Sequence, residues 1–211
     1  MSAVPSAPSA AFLPIDRDGT LLLLVPVTPA ETNLPCLTPK ERLQMATFTS
    51  PRRCDEWSTW RSALRRYHNP QATIAYDACG APQLIGEALH LSVSHAGGMA
   101  AILLAPRRCA IDIERTGRNF GRVAKRFLAP DEAMLPEHDH PLFLPLMWCA
   151  KEALYKLAGL PGASLRDDLR ITATDLTNGR MSGTIPSPEA PAAVCLHTFA
   201  WGDTVGVWTT E

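Results

Sequence analysis

The chain has 211 residues, of which 46% are hydrophobic and 19% are charged, and its formal net charge is −1. This composition predicts a globular protein rather than a disordered one, and the charge gives no general attraction to nucleic acid. Apolar runs such as Leu21–Val25 are too short to span a bilayer, and the six scattered cysteines lack zinc-type spacing. A cytoplasmic protein with reduced thiols is therefore expected.

The first predicted elements are a tail, a strand and two helices. Residues 1–11 are rich in Ala, Ser and Pro, which predicts a disordered tail. The apolar residues from Thr20 to Val27 predict a buried strand. Thr38-Pro39-Lys40-Glu41 has the capping-box pattern that begins a helix, and an apolar stripe predicts a second, arginine-rich helix from Cys54 to Tyr67.

The middle of the chain predicts strands. Gly80 and Pro82 mark a loop, after which Leu89–Ser94 alternates apolar and polar residues, as in a half-exposed strand. Met99–Ala105 lacks this alternation, which predicts burial on both faces. Cys109–Glu114 predicts a further short strand.

The rest of the chain predicts helices and then strands. A basic helix is expected at Arg118–Phe127 and a long one at Leu142–Leu160, which ends at a glycine and a proline. Ile171–Leu176 and Val194–Trp208 predict strands with a Gly/Pro/Ser-rich loop between them. This order of helices and strands predicts the α+β class.

Two acidic residues share one face of a predicted strand. In Ile111-Asp112-Ile113-Glu114, alternate side chains point the same way, so both carboxylates lie together and both isoleucines pack on the opposite side. Adjacent carboxylates repel each other unless a cation or a proton lies between them, and hard oxygen ligands suit Mg²⁺. Taken alone, this pattern indicates an ordinary exposed strand face more often than a metal site.

The long helix carries a stripe with three chemically distinct side chains. Trp148, Glu152 and Lys156 are four residues apart and lie along one face. Glu152 and Lys156 either form an ordinary surface ion pair or turn toward the strand carboxylates. In the second case Glu152 adds a third metal ligand and Lys156 lies close to a phosphate.

The order of these motifs resembles a known family. Ser92-Val93-Ser94-His95, Ile111–Glu114, Phe127–Glu132 and Trp148–Gly159 occur in the order of the Sfp-type 4'-phosphopantetheinyl transferases. That family typically has S-H-S, G-I-D-I-E, F-x-x-x-E and W-x-x-K-E-A-x-x-K. The resemblance covers about residues 90–160, and it implies two similar α+β halves that form a pseudo-dimer with the active-site cleft between them. On this basis the halves are expected at residues 12–106 and 107–211, and a monomer is sufficient.

The resemblance also implies roles for individual residues. The Mg²⁺ ligands would be Asp112, Glu114 and Glu152, and the catalytic residues would be Glu152, Lys156 and His95. Coenzyme A, the co-substrate, would contact His95, Ser94, Arg53, Arg61, Gly80, Pro82 and Lys156. Glu132 matches a motif acid near the site, and Lys151 matches a motif lysine that is expected to point away.

The sequence departs from the family pattern at three positions. Gly80-Ala81-Pro82 stands where relatives often have G-K-P, so an arginine such as Arg53 or Arg61 is expected to bind more of the 3'-phosphate. Ala96 and Ala110 replace a serine and a glycine, which are changes between small residues.

The expected partner is an acidic acyl or peptidyl carrier protein. A basic cluster is its predicted docking site: Arg115, Arg118, Arg122, Lys125 and Arg126. A solvated helix face is the alternative. Two other functions also fit the same residues, a non-catalytic coenzyme A-binding module and a metal-dependent phosphodiesterase.

Overall fold

The computed structural model describes residues 11–14 and 19–211, so the predicted tail lies outside the described residues apart from Ala11. The strands, in chain order, are β1 (Ala11–Pro14), β2 (Leu21–Pro26), β3 (Thr73–Tyr76), β4 (Pro82–Ile85), β5 (His90–Ala96), β6 (Met99–Ala105), β7 (Cys109–Arg115), β8 (Arg170–Asp175), β9 (Arg180–Ile185), β10 (Ala192–Trp201) and β11 (Thr204–Thr210). The α-helices are α1 (Ala30–Asn33), α2 (Pro39–Met45), α3 (Pro51–Tyr67) and α4 (Phe143–Ala158). Short 3-10 turns lie at Leu34–Cys36, Phe120–Arg122, Ala124–Arg126 and Glu132–Met134.

The first half of the chain forms an antiparallel sheet in the order β1-β2-β6-β5, called here the N-terminal sheet. Helix α3 packs on it, with Trp60 and Leu64 against Leu23, Ile102 and other buried residues of β2 and β6. Strands β3 and β4 form a separate hairpin. The predicted capping box at α2 is confirmed, because Thr38 accepts from the Glu41 N–H and Glu41 accepts in return from the Thr38 N–H.

The second half forms an antiparallel sheet in the order β7-β11-β10-β9-β8, called here the C-terminal sheet. Helix α4 packs on it through Met147, Ala150, Leu154 and other buried residues. The helix ends at Gly159, whose φ of 60° is a left-handed C-cap, and Pro145 lies in its first turn.

The two sheets meet where β5 and β7, an edge strand of each, run side by side. The Ser92 hydroxyl accepts from the Ile111 N–H at 3.1 Å, and the Ser94 hydroxyl accepts from the Ile113 N–H at 3.2 Å. Ile111 and Ile113 are buried in a third core cluster with Leu22 and other residues of the N-terminal sheet. This junction, called here the seam, is therefore made by serine side chains and apolar packing.

The observed elements confirm the α+β class. Two further expectations stay predictions: the two-fold relation between the halves and the boundary at 106/107. The helix predicted at Arg118–Phe127 is wrong: the segment forms two 3-10 turns, and Gly121 within it is a poor helix former. Val194–Trp208 is not one strand, because Gly202, with φ 59°, turns the chain between β10 and β11. Among the described residues, no helix has the length and apolar character needed to cross a bilayer.

Candidate active site

The two acidic side chains of β7 lie on the strand face opposite the seam core. Ile111 and Ile113 are buried in that core, which confirms the predicted alternation. Asp112 is 7% exposed, and its Oδ1 accepts hydrogen bonds from the Ser94 hydroxyl at 2.8 Å and the Lys156 ammonium at 2.9 Å. Glu114 pairs with Arg118. The strand thus presents two carboxylates, each compensated by one cation.

Helix α4 faces these carboxylates with the stripe predicted from its sequence. Trp148, Glu152 and Lys156 are all half-buried. Ala150 and Leu154, on the opposite face of the helix, are fully buried. The Lys156 ammonium also donates to the Ile111 carbonyl at 2.7 Å and lies 3.4 Å from the Val93 carbonyl. Lys156 therefore joins α4 to both strands of the seam, and among the described residues it forms no ion pair with Glu152.

Three carboxylates influence one another at this point. Burial, followed by the charge of Asp112 and then that of Glu114, raises the pKa of Glu152 above its ordinary value. Burial also raises the pKa of Glu114, and there the charge of Arg118 opposes the shift while Asp112 adds to it. Within the described part of the chain, the Glu152 carboxylate has no hydrogen-bond or ion-pair partner. The charges of Lys156 and Arg118 partly oppose the rise in its pKa, but neither side chain forms an ion pair with it among the described residues.

These donors fit Mg²⁺ by their chemistry, because all are hard carboxylate oxygens and each has a charge that a divalent cation would compensate. Their arrangement is not a finished ligand set. Across the described ranges, no group of three or more acidic, histidine or cysteine side chains is placed so that it could hold a metal ion. Lys156 and Arg118 contact Asp112 and Glu114 instead, so metal binding would require at least Arg118 to move.

A large cavity of about 820 Å³ lies between the β3–β4 hairpin, β5 and the C-terminal end of α4. Its lining brings together Gly80, Pro82 and Lys156, three of the residues predicted to contact coenzyme A. Ala81, which replaces the expected lysine, also lines it. The cavity therefore connects the hairpin turn with the lysine that contacts Asp112.

A small cavity of about 630 Å³ lies at the far end of β7. It is lined by Arg52, His95, Ala96, Gly97, Gly98, Glu114, Arg115 and Arg118. Three arginines and one histidine surround a single carboxylate, so the lining favours an anion. His95 is thus placed beside Glu114, and its Nδ1 lies 3.3 Å from the Glu56 carboxylate of α3.

Two predicted coenzyme A contacts have other surroundings. Ser94 is buried, and its hydroxyl is used by Asp112 and the seam. Arg61 is 1% exposed and lies between the rings of Trp57 and Trp60, at 3.4 and 4.0 Å from their centroids. It donates to the Tyr76 hydroxyl at 2.5 Å, and burial lowers its pKa. The guanidinium is enclosed by protein in this structure, and its phosphate contact stays a prediction.

Arg53 and the two further motif residues also lie away from the carboxylates. Arg53 is exposed, stacks over Phe48 at 4.7 Å and lines neither cavity, so its phosphate contact stays a prediction.

Lys151 and Glu132 form a buried ion pair of 2.6 Å, and Glu132 also accepts from the Ala129 and Ile171 N–H groups. The pair thus joins α4 to β8 and to the turn at 129–132. Lys151 points away from the three carboxylates, as expected from the sequence.

The basic cluster divides into two parts. Arg115 pairs with Asp203 at 2.9 Å, and Arg118 pairs with Glu114 and lies 5.0 Å from the Trp148 ring centroid. The side chains of the other three are exposed and have no ion pair among the described residues: Arg122, Lys125 and Arg126. These three are the part of the cluster that is available to a partner.

Sequence reasoning missed Arg52, which lines the small cavity, and Glu56, whose carboxylate contacts both Arg52 and His95. The signal present was a run of arginines at the start of α3, which does not tell which of them faces β5. Only the packing of α3 across the N-terminal sheet places Arg52 at the cavity and Arg53 away from it.

Comparison with known proteins agrees with the second half of the site. Residues 108–206 match the family model ACPS, described as the 4'-phosphopantetheinyl transferase superfamily. A search of curated proteins gives no match to the chain. The matched range contains β7 and α4, which carry the three carboxylates and Lys156. Residues 108–206 therefore form a domain that matches the 4'-phosphopantetheinyl transferase superfamily.

Proposed function

We propose that this protein transfers the 4'-phosphopantetheine arm of coenzyme A to a serine of an acyl or peptidyl carrier protein, with Mg²⁺ as cofactor, in the manner of the Sfp-type enzymes. The observation that carries this proposal is the meeting of Asp112, Glu152 and Lys156 beside the large cavity. The superfamily match of residues 108–206 supports phosphopantetheine transfer in general. The metal, the direction of transfer and the carrier are parts of the proposal.

The large cavity is the proposed nucleotide site. Gly80 and Pro82 form its wall at the hairpin turn, where a glycine with φ 81° lets the backbone come close to a ligand. Lys156 lies at the other wall, where its ammonium would orient the pyrophosphate. Asp112, Glu114 and Glu152 would hold Mg²⁺, which would stabilise the negative charge that develops on the pyrophosphate oxygens.

The proposed step exchanges one phosphorus–oxygen bond for another. The serine oxygen of the carrier bonds to the β-phosphorus, the bond from that phosphorus to the bridging oxygen breaks, and 3',5'-ADP leaves. Glu152 is the proposed acceptor of the hydroxyl proton, because its carboxylate has no other partner in the described structure and its pKa is raised mainly by burial. His95 and Lys156 act on phosphates rather than on the proton.

A mass measurement tests this function. The protein is incubated with coenzyme A, Mg²⁺ and an apo-carrier, and the carrier is examined for the added mass of one phosphopantetheine arm. We expect this gain with the native protein and its near-complete loss in Asp112→Ala. Binding of coenzyme A without any gain, over a panel of apo-carriers, would support the non-catalytic module. Hydrolysis of coenzyme A without a carrier would support the phosphodiesterase.

A further inference from the structure

Arg118 lies between the three carboxylates and the basic surface of the C-terminal half. Its guanidinium pairs with Glu114. Its Cζ atom also lies over two aromatic rings, 4.9 Å from the centroid of Phe120 and 5.0 Å from that of Trp148. The 3-10 turns that begin two residues later carry the three exposed cations described above. The arginine therefore borders both the proposed metal site and the proposed carrier surface.

The guanidinium acts on more than one acid of the site. Burial raises the pKa of Glu114 and that of Glu152, and in both cases the charge of Arg118 opposes the rise. The side chain of Glu114 is 13% exposed and that of Arg118 is 45% exposed, so the pair joins a largely buried acid to a cation at the surface. Arg118 therefore supplies part of the positive charge that a divalent cation would bring.

A metal ion and Arg118 would compete for the same carboxylate. Each needs the oxygens of Glu114, and two cations on one carboxylate repel each other. Release of Arg118 costs little, because its contacts with Phe120 and Trp148 use the face of the guanidinium and not its N–H groups. These contacts can therefore persist while the polar end of the side chain changes its partner.

The surroundings of Arg118 indicate which partner it would take instead. Within the described structure its one ion pair is with Glu114, and nearly half of its side chain is exposed. The neighbouring exposed cations make this surface attractive to an acidic protein, and a guanidinium binds a carboxylate through two parallel N–H donors. An acidic side chain of the docked carrier is the group that suits this position.

We propose that Arg118 is exchanged for the metal: it holds Glu114 until the metal binds, and it then turns to an acidic side chain of the carrier protein. This inference rests on the proposed function for both the metal and the carrier. Metal binding and carrier binding then strengthen each other, because each relieves the ion pair that the other must break. Arg118 touches no reacting atom, so it acts as a positioning residue.

An opposite role for Arg118 would give an opposite result. If the arginine instead orients Glu114 as a metal ligand, its removal should weaken metal binding. If it competes with the metal, the same change leaves more molecules ready to bind the metal and tightens binding. The direction of the change in metal affinity therefore separates the two roles.

The first measurement is a titration with Mn²⁺, followed by the electron paramagnetic resonance signal of the free ion, without coenzyme A or carrier. Mn²⁺ prefers the same oxygen ligands as Mg²⁺. We expect Kd for Mn²⁺ to fall about tenfold in Arg118→Met, a change that keeps the apolar stem against the rings. Arg115→Met is the matched control, because it removes a cation from the same cavity wall, but one that pairs with Asp203. Its Kd should change by less than about threefold.

The second measurement repeats the titration with a saturating apo-carrier, after subtraction of the Mn²⁺ that the carrier binds alone. Kd for Mn²⁺ should fall about fivefold in the native protein and by less than about 1.5-fold in Arg118→Met. Since such coupling is reciprocal, Mn²⁺ should tighten carrier binding to the native protein by the same factor.

Three results would overturn the inference: weaker Mn²⁺ binding by Arg118→Met, an equal gain in both arginine variants, or a carrier effect that persists without Arg118. If the native protein passes the mass measurement in any of these cases, the proposed function stands without the exchange. Tighter Mn²⁺ binding by Arg118→Met in a protein that modifies no carrier would instead refute the proposed transfer and support the competition at Glu114.

Discussion

The hydroxyl of Ser94 donates to Oδ1 of Asp112 at 2.8 Å, and the oxygen of that hydroxyl accepts from the Ile113 N–H at 3.2 Å. One side chain of β5 thus orients an acid of β7 and also joins the two strands. A side chain that orients a proposed metal ligand in this way affects both its geometry and its basicity.

Ser94→Ala should lower both activity and stability. The Ile113 N–H loses its acceptor inside the protein, which costs about 1–3 kcal/mol in the free energy of unfolding. Asp112 loses one of its hydrogen-bond donors and keeps Lys156, so we expect kcat to fall about tenfold or more. Chemical denaturation and transfer kinetics measure the two effects.

Ser92→Ala provides the control for this change. Ser92 accepts from the Ile111 N–H in the same way, and within the described structure it forms no hydrogen bond with Asp112. Its loss should cost similar stability while kcat stays near the native value. Equal losses of kcat in both variants would mean that the seam, and not the contact with Asp112, determines the rate.

Two lysines five residues apart on α4, on different faces of the helix, should respond differently to replacement. Lys156→Met removes the ammonium that contacts Asp112, and we expect kcat to fall about 100-fold or more. Lys151→Met leaves Glu132 buried without its partner, which costs about 3–5 kcal/mol in stability. The folded fraction of that variant should keep its kcat, as active-site titration combined with circular dichroism would show.

Glu152→Gln should change how stability depends on pH. Burial, with the charges of Asp112 and Glu114, raises the pKa of Glu152 above its ordinary 4.5, so the folded protein binds this proton more tightly than the unfolded chain. The stability that this group contributes is complete below about pH 4.5 and is lost as the pH rises through the raised pKa. In metal-free buffer at pH 7, the glutamine variant should therefore melt at a higher temperature than the native protein, with the gap closing toward pH 4.

Adding Mg²⁺ to the same melting experiment tests the metal ligands. Millimolar Mg²⁺ should raise the Tm of the native protein, because a ligand that binds only the folded state stabilises it, and it should not raise that of Glu152→Gln. An equal Mg²⁺ response in both proteins would remove Glu152 from the ligand set.

Gly97 should not tolerate a side chain. A Cβ at this position would lie 2.2 Å from the Arg115 Cγ, and the φ of 59° is strained for any L-residue. Gly97→Ala should destabilise the protein by about 2–4 kcal/mol and displace Arg115 from Asp203. Gly98→Ala, where φ is 81° and nothing lies within 4 Å, should cost only the backbone strain of about 1 kcal/mol. Thermal denaturation of both variants compares them, and Arg115→Ala should partly rescue Gly97→Ala.

The exposed cations after β7 should affect only the protein substrate. Reversing Arg122, Lys125 and Arg126 to glutamate should raise KM for an acidic carrier about tenfold at low salt and leave KM for coenzyme A unchanged. The difference should shrink as ionic strength rises. Reversal of Lys40 and Arg180, exposed cations outside the cluster, is the control. A carrier KM unaffected by the triple reversal would contradict docking here.

Local periodicity was sufficient to predict some of the site. The two-residue repeat of a strand put Asp112 and Glu114 on one face, and the four-residue repeat of a helix put Glu152 and Lys156 on another. Which atoms these side chains then contact depends on tertiary packing. Lys156 was a candidate partner for Glu152 by spacing, and the structure pairs it with Asp112 instead because α4 lies across β7.

The residues that sequence reasoning misplaced are those whose surroundings come from distant parts of the chain. Arg61 looked like a surface cation, yet two tryptophans and Glu41 enclose it. Strand β9 was predicted as a loop because Ser182 and Gly183 interrupt its apolar residues. Gly183 is needed there, since a Cβ would lie 2.7 Å from the Arg170 carbonyl of β8.

Among the residues that the structure describes, strand β7 has one ladder partner, β11, in which Val207 lies opposite Asp112. When the ribosome has made β7 but not yet β11, Asp112 and Glu114 lie on a strand without its ladder partner. The site therefore forms late in folding, because it depends on a contact between distant parts of the sequence. A partly made chain would therefore be unable to consume coenzyme A. Removal of Thr204–Thr210 should abolish activity, although every proposed catalytic side chain remains.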